Sequence, residues 1–68
     1  MKGLYIVEKK DSFESRWKQD TQFEDFYEAV NEAVEISKRY TRFGVKVRVF
    51  DVGLQMVVMT LDKRIRYE

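Results

Sequence analysis

The 68-residue sequence predicts an α+β fold, a two-layer sandwich in the order β-β-α-β-β. One helix lies on a four- to five-stranded antiparallel sheet, with room for a short fifth strand at the end. Three observations carry this prediction. The segment "TQFEDFYEAVNEAVEISKRY" places apolar residues at helical spacing. The segments on either side of it are rich in β-branched and aromatic residues and alternate in polarity. A single helix cannot cover both faces of such a sheet, so the economical arrangement leaves one face to solvent.

Taken in order, "LYIVEKK" predicts a strand over residues 4–10, and Asp11 and Ser12 supply the turn that follows it. "FESRWK", residues 13–18, alternates Phe13, Ser15 and Trp17 against Glu14, Arg16 and Lys18, which predicts a half-buried second strand and a hairpin. Thr21 with Glu24 three residues later matches a capping box, in which the threonine oxygen accepts from a first-turn amide and the glutamate reaches back. The helix predicted over 21–40 buries Phe26, Val30, Ala33, Ser37 and Tyr40, widened by Phe23, Tyr27, Ala29, Val34 and Ile36. Glu24, Glu28, Asn31, Glu32, Glu35 and Arg39 fall opposite, and Lys38 and Arg39 suit the negative end of the helix dipole. Gly44 offers a place for the chain to reverse.

"VKVRVFDVGLQMVVMT" predicts a hairpin closed by Val52 and Gly53, with Gly53 at positive φ. A two-residue loop sets Asp51 opposite Leu54, Val49 opposite Met56 and Val47 opposite Val58, the valines and Met56 facing the core. Arg48 then meets Val57, and Lys46 meets Met59, on the other side. A one-residue slip inverts the faces of the second strand. "LDKRIRYE" predicts a turn at Asp62 and Lys63 and a fifth edge strand through Ile65 and Tyr67.

The chain predicts one domain, 1–68, near the lower size limit for folding unaided. It has no cysteine, so disulfides and thiolate metal sites are excluded, and no histidine, which removes imidazole from catalysis and metal binding. No glycine-rich phosphate loop or calcium loop is present. The carboxylates along the helix read as a solvated face rather than an acid–base pair. The expectation is therefore a protein that is not an enzyme, with no cofactor, no metal and no small-molecule substrate. No stretch has the length of a membrane span and the N-terminus does not read as a signal peptide, so no membrane role and a cytoplasmic location are expected.

Net charge is +1, but acids fill residues 20–35 and cations dominate 36–66. The predicted open face carries Lys46, Arg48, Phe50, Val57 and Met59, joined by Arg16 and Lys18. Cations around a small apolar patch fit a partner-binding site. The competing view is that long basic stems lie over apolar neighbours and shield them. Trp17 and Tyr67 read as core or edge packing. The acidic helix face of Glu24, Glu28, Glu32 and Glu35 is held in reserve as an anionic surface resembling DNA.

A short chain opening "MKGLYIVEKK", then a charged hairpin, one acidic helix and a β-ribbon entered through "FGVKVRVFDVG", resembles small accessory proteins of bacteriophages and mobile elements. In length and element order it is similar to small anti-CRISPR inhibitors of the type I class. The resemblance implies a stoichiometric inhibitor whose charged surface docks on a host protein or protein–nucleic-acid complex in the host cytoplasm. It transfers no individual residues. Two other partners remain in view: nucleic acid bound by the same face, and a second copy of the chain in a structural homodimer.

Overall fold

A computed structural model describes residues 3–11, 15–39 and 44–63. Four strands and one helix follow in the order β1 (Tyr5–Asp11), β2 (Lys18–Phe23), α1 (Phe26–Arg39), β3 (Val45–Asp51) and β4 (Met56–Lys63). The sheet is antiparallel throughout and open, with spatial order β2-β1-β3-β4. The α+β architecture is as the sequence predicts.

The core forms where α1 crosses one face of the sheet. Val45, Val47 and Val49 alternate inward along β3, and Val7 of β1 is paired with Val49. Ala29, Ala33 and Ile36 close over them from the helix, and all seven residues are buried. The two alanines bring the helix backbone near the sheet, while Ile36 supplies bulk. Tyr5, Phe23, Val58, Met59 and Leu61 pack around this cluster. Phe26, in the first turn of the helix, meets Tyr5 edge-on with ring centroids 5.6 Å apart.

The helix begins later than the sequence pattern suggests. The Asp25 carbonyl accepts the first helical bond, from the Ala29 amide at 3.2 Å, and Asp25 Oδ2 accepts the Glu28 amide at 3.3 Å. Asp25 is therefore the N-cap. Thr21, predicted to cap, lies in β2 opposite Val7, and its Oγ1 is buried without a hydrogen-bond partner. The motif Asp25-x-x-Glu28 repeats the Thr21-x-x-Glu24 pattern four residues on, and the sheet claims the first copy. Tyr27, expected on the buried stripe, is 74% exposed. Tyr40 lies outside the described residues.

The second strand is also displaced. Ser15 and Arg16 form a bend, Trp17 is irregular, and β2 starts at Lys18. Phe13 and Glu14 lie outside the described residues. "KQDTQF" is a poor strand sequence on propensity; pairing with β1 imposes the conformation, with an irregularity opposite Val7 and Glu8 that leaves Asp20 as the extra residue.

The last hairpin differs from the predicted one in two respects. Its loop has four residues, 52–55, so Asp51 pairs with Met56 rather than Leu54. Asp51 Oδ1 holds the turn by accepting the Leu54 amide at 3.1 Å, and the positive φ falls at Gln55 (52°), not at Gly53. A bulge then inserts Val58 between the pairs Phe50–Val57 and Val49–Met59. The longer loop shifts the register by two and keeps Val57 on the open face. The bulge adds one residue and turns Met59 toward the core, opposite Val49. Met59 is thereby corrected from an outward to a core-side residue. Asp62 and Lys63 continue β4 instead of turning, and the predicted fifth strand through Ile65 and Tyr67 lies outside the described residues.

The two capping assignments make opposite predictions in denaturant unfolding. Asp25→Ala should cost about 1 kcal/mol, the usual value of a lost N-cap. Thr21→Val, which removes an unpaired buried hydroxyl at nearly constant shape, should leave stability unchanged or raise it by up to about 1 kcal/mol. A stability loss for Thr21→Val comparable to that for Asp25→Ala would contradict the assignment.

A candidate docking face on the open side of the sheet

The pairing registers place three cross-strand rows on the face away from α1. The first is Gln22, Ile6, Phe50 and Val57; the second is Gln19, Glu8, Arg48 and Thr60; the third is Lys10, Lys46 and Asp62. The outer rows are roughly 13 Å apart, four residues at about 3.3 Å each. One end of the face is therefore apolar and the other cationic.

Trp17 joins this face. It was expected in the core or at an edge, but its ring lies 4.1 Å from the Arg48 guanidinium carbon and 5.8 Å from Lys10 Nζ, both outward residues. Arg48 is fixed from the other side: its Nε donates to Glu8 Oε1 at 2.8 Å. A charge-assisted hydrogen bond and a stacked indole hold one guanidinium between them. Arg48, one of the cations expected around the patch, is thus also a structural residue whose charge is matched by Glu8.

Lys46 is exposed and takes part in none of the salt bridges among the described residues. It sits directly opposite Lys10, a like-charge cross-strand pair that costs up to about 1 kcal/mol. Arg16 and Lys18, on the segment that carries Trp17, are also exposed. At the apolar end, Val57 is 37% exposed; at the adjoining hairpin tip Leu54 is 66% exposed and Met56, one residue out of phase with Val57, is 52% exposed. Phe50 is half-buried.

Of the sequence-predicted site, Lys46, Arg48, Phe50 and Val57 share the open face, Met59 does not, and Arg16 and Lys18 flank Trp17. Ile6, Glu8, Lys10 and Trp17 were missed on this face; Leu54 and Met56 are exposed at the hairpin tip, where Met56, expected in the core, falls in the α1-side row with Tyr5 and Asp51 but beyond the reach of the core. The alternation of "YIVEKK" carried the signal for the first three: once Val7 points inward, Ile6, Glu8 and Lys10 point out. The reserve site on the helix is partly neutralised by its own chain. Glu32 pairs with Arg39 at 3.5 Å and Glu35 with Lys38 at 3.7 Å, whereas Glu28 stays exposed beside Tyr27.

Among the described residues, no group of three or more carboxylates is placed to hold a metal ion, and no helix is long and apolar enough to cross a membrane. Comparison with protein-family models, with curated proteins and with solved structures returns no match.

The Trp17–Arg48–Glu8 stack is testable because Trp17 is the only tryptophan. Arg48→Ala should cost about 2 kcal/mol, a cation–π contact plus a charged hydrogen bond, and shift Trp17 emission to the red. Unchanged emission would show that the indole does not rest on Arg48.

Proposed function

We propose that this chain is a non-catalytic binding protein that docks the open face of its sheet on a larger target. It acts as a modulator of the phage or mobile-element kind, inhibiting a host protein or protein–nucleic-acid complex in the host cytoplasm. One observation carries the docking role: Val57 stands exposed and runs into Phe50 and Ile6 on a face that α1 does not cover, with Leu54 and Met56 exposed at the adjoining hairpin tip. Small clusters of exposed apolar side chains beside cations supply the desolvated centre of protein interfaces, with the charges setting approach and orientation.

The role requires no chemistry of the chain itself. It needs a rigid surface, and a sheet braced on its other face by α1 provides one. Lys46, at the far end of the same strand as Phe50, adds attraction for an acidic rim on the target.

The experiment is capture from host lysate by the immobilised protein, comparing the wild type with the Met56→Glu, Val57→Glu double variant. Both positions are exposed, so circular dichroism should show an unchanged fold. A target held through this patch should be lost by at least about tenfold in the variant, the scale of a hot-spot contact. Equal capture by both proteins would overturn the proposal. So would a wild-type protein that sediments as a dimer, becomes monomeric in the variant and captures no host component.

A further inference from the structure

We infer that the cationic end of the open face binds single-stranded nucleic acid, with backbone phosphate between Lys10 and Lys46 and a base against Trp17. This rests on the proposed docking role and names the chemistry of one part of the target, separate from the apolar end.

Three features converge on it. Lys10 and Lys46 are directly paired across β1 and β3, and no carboxylate stands between them. Two ammonium groups on adjacent strands repel each other, and an anion placed over both relieves that repulsion. Next, Trp17 is laid on the same face by Arg48, which Glu8 holds in place, so the indole is a fixed and partly exposed platform. Lastly, Lys10 borders both the indole and Lys46, which puts the anion site and the aromatic platform side by side.

A ligand that uses both parts must carry negative charge and a flat aromatic group in alternation. A single strand does so, with phosphate and base in each nucleotide. In a duplex the bases are stacked on one another and their faces are not available to the indole. An acidic polypeptide could neutralise the lysines but would leave the indole unused. Glu8 and Asp62 also lie on this face; Glu8 is engaged by Arg48, and Asp62 is opposite Lys46 on the edge strand, which directs the strand's path toward Lys10 and Trp17.

The test is titration of the protein with single-stranded oligothymidylate, following Trp17 emission and the anisotropy of the labelled oligonucleotide. Binding should quench Trp17. Two neutralised phosphates give a slope of log K on log salt near −1.4, or roughly sevenfold weaker binding from about 50 to about 200 mM salt. The Lys10→Glu, Lys46→Glu double variant should bind at least about tenfold more weakly. Should that variant not fold, Lys46→Glu alone should show a loss of at least about threefold. The Met56→Glu, Val57→Glu variant should bind the oligonucleotide as the wild type does, so failure of the apolar patch and failure of the cationic site are separable. The inference is overturned if oligothymidylate does not bind at low salt, if the lysine variants bind it normally, or if poly-glutamate of matched charge binds as tightly and quenches Trp17 as much.

Discussion

Ala29, Ala33 and Ile36 seat α1 on Val7, Val47 and Val49, and that contact is made on one side of the sheet only. Among the described residues no second helix supplies a second layer. The apolar area buried beneath the helix must stabilise the whole sheet, since a sheet with two solvated faces would have little to hold it. The same contact dictates that Ile6, Phe50 and Val57, one residue out of phase with the core valines, lie on the face away from the helix. The open face is thus a geometric consequence of how the core is made, and any change in strand phase would move residues between core and surface together.

The open side is not simply bare. Trp17, just before β2, lies across its centre, and Arg48 is clasped between the indole and Glu8. This gives the central row of the face an order that long, solvated side chains ordinarily lack. It also separates the two ends. Lys10 and Lys46, which take part in none of the salt bridges among the described residues, stand at one end with Asp62 beyond Lys46, and the exposed apolar residues gather at the β3–β4 tip. A face divided in this way suits a target with two kinds of surface, such as a protein carrying a nucleic-acid strand.

How much of this was legible in the sequence depends on whether local pattern or tertiary pairing decides each element. The β1 and β3 strands and the helix were readable because their apolar spacing coincides with what they bury: Val7, Val45, Val47 and Val49 at period two, and Ala29, Ala33 and Ile36 at helical spacing. "FESRWK" misled because a perfect polar–apolar alternation is only a local preference, whereas "KQDTQF" becomes a strand through backbone pairing with β1. The helix start was misplaced because two Asp/Thr-x-x-Glu patterns lie four residues apart, and only the sheet decides between them. Of the candidate site, Lys46, Arg48, Phe50 and Val57 followed from strand phase alone. Met59 did not, because a bulge at Val58 reverses the phase and nothing in "MVVMT" announces it. Trp17 was equally hidden: its place depends on Arg48, thirty-one positions away by sequence number (48 − 17 = 31).

The central claim is that α1 covers one face of the sheet and leaves Phe50 and Val57 uncovered. Nuclear Overhauser contacts in solution test it most directly. The account predicts cross-peaks from the Ala33 and Ile36 methyls to those of Val47 and Val49, and from the Trp17 ring to the Arg48 side chain, with none from any α1 side chain to Phe50 or Val57. Cross-peaks joining the helix to Phe50 or Val57 would place the helix on the opposite face and contradict the account.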